Sequence, residues 1–142
     1  KTEATLSGFD EAIFLTQDGY VSEGAGENLF LIKNNTIIIP PVSANNLSGI
    51  TRDSVIKLAT EELNLTVIEQ NIRRSEIYLA DELFLTGTAA HVTAVGSLDN
   101  RKIGSGDVGP ITKSIQELYF DCVTGNKSKY INWCTAANLK KV

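Results

Sequence analysis

The sequence predicts a mixed α and β domain in which helices pack on a mixed sheet. Short apolar, β-branched runs alternate with two longer stretches of helical spacing. Several of the short runs meet through tight turns such as Asn34-Asn35 and Asp99-Asn100, which join antiparallel neighbours rather than a doubly wound parallel sheet. Apolar residues make up 42% of the 142 residues, enough to bury a core.

The elements follow in order. Glu11 to Thr16 reads as a short strand, and Asp18-Gly19 turns it into a second, Tyr20 to Lys33. That second strand is interrupted at Glu23-Gly24-Ala25-Gly26-Glu27, where glycines signal a bulge or a close backbone approach. Asn34-Asn35 leads into the β-branched run Thr36 to Ile39, which Pro40-Pro41 stops. Gly49 to Leu63 has helical spacing, with Val55, Leu58, Ala59 and Leu63 on the buried stripe and Ser48 or Thr51 available as a cap. Leu65 to Ile72 alternates like a strand. Ser75 to Ala80 is a helical turn, and Glu82 to Thr86 a buried strand. Another strand is expected from Val92 to Leu98, turning at Asp99-Asn100 into Arg101 to Ile103. A last helix opens at Gly109-Pro110 and buries Ile111, Ile115, Leu118, Tyr119 and Cys122.

Composition narrows the function. Thirteen basic residues against seventeen acidic ones give a net charge of −4, which carries no footprint for nucleic acid or an anionic membrane. Lys140-Lys141 reads as a solvated tail. No apolar run reaches the roughly 20 residues that span a bilayer, and no signal peptide is read at the start. Cys122 and Cys134 fit reduced thiols in the cytoplasm, and two cysteines with one histidine cannot build a structural zinc site.

Three polar or glycine-rich stretches could carry chemistry. Ser48-Gly49-Ile50-Thr51-Arg52-Asp53 opens the first long helix, where free amides and the helix dipole favour an anion. Gly87-Thr88-Ala89-Ala90 follows a buried strand, where small residues let successive amides converge on an oxyanion. Within the interrupted strand, Glu23 and Glu27 share a face if the strand is regular. A buried acid there would need a basic partner such as a ring nitrogen. On spacing alone the plain alternatives stay open: a capped helix with nothing bound, a tight connection, and a bulged strand with surface glutamates. Two donor sets in one domain suit a ligand with two acidic groups, such as a phosphorylated cofactor joined to an amino acid.

Tyr20-Val21-Ser22-Glu23-Gly24-Ala25-Gly26-Glu27-Asn28-Leu29-Phe30 resembles the signature strand of branched-chain amino acid aminotransferases, within the fold-type IV, class IV pyridoxal-phosphate enzymes. Leu47-Ser48-Gly49-Ile50-Thr51-Arg52 and Phe84-Leu85-Thr86-Gly87-Thr88-Ala89-Ala90 resemble that family's next motifs, in order, and the similarity continues through Gly109-Pro110-Ile111-Thr112-Lys113. The resemblance implies a partial barrel with packed helices, the larger C-terminal domain of such enzymes, with residues 1–142 as a single pyridoxal 5'-phosphate domain.

It further implies that Glu23 pairs with the pyridine nitrogen, that Leu47 packs on the ring, and that Gly49, Ile50, Thr51, Gly87 and Thr88 hold the phosphate end. Thr88, Ala89 and Ala90 would meet the substrate carboxylate. Glu27, Asn28 and Arg52 would support these groups from behind, and no metal is called for. His91 and Ala94 depart from the family, which usually has glutamate and proline there.

The Schiff-base lysine is expected upstream of Lys1, so the chain reads as a fragment that does not itself catalyse. The intact protein is expected to be a cytoplasmic enzyme of branched-chain amino-acid biosynthesis, at least a homodimer. It would move the amino group between leucine, isoleucine or valine and 2-oxoglutarate. Alternatives are a D-amino acid aminotransferase or an aminodeoxychorismate lyase of the same fold, against which the intact string from Ser22 to Asn28 argues, or a non-catalytic anion-binding domain.

Overall fold

The computed structural model describes residues 1–135, so the Lys140-Lys141 tail lies outside the described residues. A short helix, α1 (Thr2–Leu6), leads into strands β1 (Ile13–Leu15) and β2 (Val21–Gly24), then β3 (Asn28–Lys33) and β4 (Thr36–Ile39). A 3-10 turn at Val42–Ala44 precedes α2 (Ile50–Glu61). There follow β5 (Thr66–Glu69), α3 (Arg74–Ile77), β6 (Glu82–Gly87), β7 (His91–Ala94), β8 (Ser97–Leu98), β9 (Arg101–Lys102), α4 (Pro110–Val123) and a second 3-10 helix, Ser128–Trp133.

The main sheet is mixed, as the sequence predicts. Its five strands run β5-β4-β3-β6-β7, and β1-β2 and β8-β9 form two-stranded ladders. Among the described residues only the β4–β5 pair is parallel, because α2 supplies the crossover between those strands. Asn34 and Asn35 sit at φ 48° and 60° with Lys33 paired to Thr36. Both are left-handed, the geometry a two-residue hairpin loop requires and asparagine tolerates.

The central strands are covered on both sides, which explains their unbroken apolar runs. One face of β3 and β6 turns Phe30, Ile32 and Phe84 against Val55, Leu58 and Ala59 of α2 and Ile115, Leu118, Tyr119 and Cys122 of α4. The other face turns Leu29, Leu31, Leu83 and Leu85 against Val21, Ile72, Ile77, Ala80 and Ile103. Helix α4 is fixed by Glu82, a buried carboxylate that accepts the amides of Ile111 (3.1 Å) and Thr112 (2.7 Å). An acid at that end matches the helix dipole.

Several expected boundaries move. The strand Tyr20 to Lys33 is two strands, broken at residues 25–27. The strand Val92 to Leu98 breaks at Val95-Gly96, where a Cβ on Gly96 would lie 2.5 Å from the carbonyl oxygen of Gly106. Neither Ser48 nor Thr51 caps α2. Its N-cap is Gly49, and Thr51 already lies inside the first turn, 6% exposed. Cys122 and Cys134 are free thiols; Cys122 is buried, and Cys134 donates to its carbonyl oxygen at 3.2 Å.

The Ser128–Trp133 turn is clasped to the end of α2. Lys129 Nζ lies 2.6 Å from Glu62 and 3.2 Å from Glu61, and the Tyr130 hydroxyl donates to both carboxylates at 2.9 and 3.0 Å. The Tyr130 and Trp133 rings meet at 4.6 Å. The hydrogen bonds from Lys129 and Tyr130 hold the Glu62 carboxyl at about 2, below its ordinary 4.5. A depressed acid stabilises the fold above its ordinary value and loses that contribution as pH falls through the folded one. Emission from Trp133, the sole tryptophan, is therefore expected to change as pH falls from 4.5 toward 2, and Lys129→Ala to move that change to higher pH. An identical acid titration in wild type and K129A would exclude the clasp.

Candidate functional site

The glycines after β2 fold the chain back on itself. Gly24 N–H donates to the carbonyl of Glu27 at 2.7 Å, and Gly26 N–H to Glu27 Oε2 at 2.9 Å. A Cβ at Gly24 would lie 2.9 Å from that same oxygen. The strand is thus not regular here, and Glu23 and Glu27 do not share a strand face. Glu27 closes its own loop. Glu23 instead reaches the segment before α2, where its Oε2 accepts the Leu47 amide at 3.0 Å.

Asn28 completes this junction. Its Nδ2 donates to Glu23 Oε2 at 3.4 Å and to the Leu47 carbonyl at 2.8 Å. Its Oδ1 sits where a Cβ on Gly49 would be, 2.2 Å away, so only glycine lets the chain pass. Beyond Gly49 the helix ladder starts with the Asp53 amide on the Gly49 carbonyl, 3.0 Å. The amides of Ile50, Thr51 and Arg52 precede that ladder at the positive end of the helix dipole. Arg52, 5% exposed, braces the same turn to β5 through Glu69 (2.9 Å) and to Asp53 (3.3 Å).

The third segment is brought in by strand pairing. Asn28 stands opposite Thr86 and Gly87 opposite His91, which leaves Thr88, Ala89 and Ala90 as a three-residue loop. A Cβ on Gly87 would lie 2.9 Å from the Gly26 carbonyl. Glu23, Asn28, Leu47, Gly49, Gly26 and Gly87 therefore form one contiguous junction. Thr88 and Ala89 are exposed beside it, as are the side chains of Leu47 (73%) and Ile50 (85%). His91 is exposed, left-handed at φ 53°, with its ring 5.5 Å from that of Phe120. It belongs to the edge of β7 rather than to the junction.

One site residue was missed in the sequence. Thr86, 1% exposed, carries a hydroxyl oxygen that finds no hydrogen-bond partner among the described residues. The sequence carries no signal for it, since β6 runs from Glu82 to Gly87 and a threonine near its end looks the same with or without a bonded hydroxyl. A cavity of about 350 Å3 borders the junction, lined in part by Ser22, Glu23, Gly24, Ala44 and Asn45. Among the described residues no cluster of histidine, cysteine, aspartate and glutamate could hold a metal ion.

An acid, an uncapped helix start and a small-residue loop thus converge. The model of the family "Amino-transferase class IV" matches residues 1–98, more than half of the chain. The chain belongs to the class IV aminotransferase family. Its relatives there include the "Probable branched-chain-amino-acid aminotransferase" of Aquifex aeolicus (strain VF5), 56% identical over 135 residues. That match covers 95% of this chain and 43% of the relative.

The branched-chain amino acid aminotransferase of Thermobaculum terrenum, solved in its PLP form, superposes with a TM-score of 0.92 at 42% identity, covering 94% of this chain and 44% of that one. A second solved branched-chain amino acid aminotransferase, complexed with N-(5'-phosphopyridoxyl)-L-glutamate, gives 0.91 at 45%, covering 95% and 45%. The enzyme of Escherichia coli gives 0.82 at 50%, covering 84% and 40%. These fold-type IV enzymes share the mixed sheet described above. The chain spans less than half the length of the class IV relatives it matches.

Proposed function

We propose that the full-length protein is a pyridoxal-phosphate aminotransferase that moves the amino group between leucine, isoleucine or valine and 2-oxoglutarate, and that residues 1–142 are its cofactor-gripping domain. The observation that carries this reading is the bond between the Leu47 amide and Glu23 Oε2, 3.0 Å, which ties an acid to the foot of an uncapped helix. The residues present fit the cofactor. The helix start offers free amides to a phosphate, Gly49 and Gly87 let the Asn28 side chain and the Gly26 backbone close in beside it, and the Thr86 hydroxyl, opposite Asn28 in the ladder, has no partner among the described residues.

Each residue then has a task. Glu23 would hold the ring nitrogen, with Oε1 the carboxylate oxygen left as acceptor because Oε2 already takes two donors. Leu47 lays its exposed side chain on the ring. Gly49 lets the turn pack against Asn28, and the Ile50 and Thr51 amides would hold the phosphate together with Gly87 and Thr88. The Thr88, Ala89 and Ala90 segment orients the substrate carboxylate. Glu27, Asn28 and Arg52 hold these groups from behind. When bound, the cofactor supplies a protonated ring that withdraws electrons from the substrate Cα.

The lysine that links to the cofactor belongs, in this reading, to the part of the protein outside this chain. We read the enzyme as cytoplasmic, biosynthetic and at least dimeric. Full-length protein given pyridoxal phosphate, leucine and 2-oxoglutarate is expected to form glutamate, and the 142-residue chain alone to form none. Turnover by the short chain, or none by the full-length protein, sinks the reading.

A further inference from the structure

The geometry points to Asn28 as a positioning residue that couples the ring acid to the phosphate turn, so that the two ends of the cofactor are gripped as one unit. This rests on the cofactor reading above and adds a residue-level mechanism to it.

Asn28 is 7% exposed and faces three groups at once. Its amide nitrogen donates to Glu23 Oε2 at 3.4 Å and to the Leu47 carbonyl at 2.8 Å. Its amide oxygen packs on Gly49, the N-cap of α2. The Leu47 amide closes the circuit on Glu23 Oε2 at 3.0 Å. One side chain therefore fixes the rotamer of the acid, the backbone of the turn, and the spacing between them. With Oε2 engaged twice, Oε1 remains as the acceptor for a ring nitrogen. The residue itself cannot drift, because it opens β3 and is paired with Thr86 across the ladder to β6. Only an amide meets all these demands, since it must donate on one side and present a neutral oxygen to Gly49 on the other.

Thr51 provides the contrast. It is buried in the first turn of α2 but has no hydrogen bond to Glu23, so it serves the phosphate end alone. Losing Asn28 therefore disturbs both ends of the cofactor, and losing Thr51 only one.

The test uses full-length protein loaded with pyridoxal phosphate labelled with 15N in the ring. Asn28→Asp keeps the volume and the oxygen over Gly49 but turns the donor into an acceptor; Asn28→Ala removes both. Each is expected to weaken pyridoxal-phosphate binding about tenfold, the effect of a lost hydrogen bond to a charged group. Each is also expected to move the ring 15N resonance from its protonated position toward the unprotonated one. Thr51→Ala, which keeps the amide but removes the hydroxyl donor at the phosphate turn, should weaken binding with the resonance unmoved.

If both Asn28 variants weaken binding but leave the resonance at its wild-type position, Asn28 is a structural residue only and the coupling is overturned. If N28D matches wild type in both readouts, the donor plays no part and the proposal fails. Should N28A not fold, N28D decides alone, because it preserves shape. Wild-type protein that binds no pyridoxal phosphate sinks the cofactor reading itself, a result separate from either Asn28 outcome.

Discussion

Gly49→Ala is expected to cut the affinity of the full-length protein for pyridoxal phosphate about a hundredfold while leaving it folded. The backbone at Gly49, φ −70° and ψ 138°, suits any residue, so no conformational strain arises. The obstacle is space. The new methyl would sit 2.2 Å from Asn28 Oδ1, well inside contact distance, and 3.6 Å from the Arg52 Cβ. Asn28 cannot yield, since it is buried, bonded to Leu47 and locked into β3. The turn must move instead, taking the Ile50 and Thr51 amides away from the phosphate position. Two charge-assisted hydrogen bonds at about 1.5–3 kcal/mol each, weakened by the shift rather than lost, support a drop of about 2.8 kcal/mol, or a hundredfold. Overpacking costs about 1–3 kcal/mol, inside the roughly 5–15 kcal/mol that holds a typical protein folded. Equilibrium binding of pyridoxal phosphate with a thermal melt checks both halves; wild-type affinity in G49A would show that the turn is not the phosphate site.

Phe84→Ala is expected to be the most destabilising single change, at about 3–5 kcal/mol. Phe84 is fully buried and stacks on Phe30 with ring centroids 4.7 Å apart and planes 15° from parallel. The two rings face each other across the β3–β6 ladder, under α2 and α4. Truncation leaves a cavity walled by strand and helix residues that cannot all close in. The same ladder places Asn28 opposite Thr86 and Gly87 beside Gly26, so the loss should reach the cofactor site as well. Urea denaturation of the full-length protein measures it. A loss under about 1 kcal/mol would mean that the core relaxes around the gap.

Much of the site was legible because its residues obey local rules. Gly24, Gly26, Gly49 and Gly87 break strands or helix starts where a structural element alone would not need them, and Gly24, Gly49 and Gly87 face a neighbour too close for a side chain, whereas Gly26 faces open space. Thr86 was not legible, because a buried threonine looks the same in sequence whether its hydroxyl is bonded or left over. The cap of α2 was misjudged for a related reason. Ser48 and Thr51 both have the right chemistry, and only the path of the chain through Gly49 decides that neither is used.

By itself the sequence determined the class and order of the main strands and the two long helices, though not the short helix Thr2–Leu6, the two 3-10 helices or the breaks within two strands, since hydrophobic period and turn chemistry act between near neighbours. It also determined which residue types could hold an anion and an aromatic nitrogen. Only the tertiary structure decided that Glu23 and Glu27 part company, that Glu23 meets an amide 24 residues further along, and that Asn28 joins them. Those contacts depend on sheet register and on the close passage of glycine backbone, which pattern along a chain does not encode. A hydrogen bond across the fold exists only once packing has fixed both of its ends.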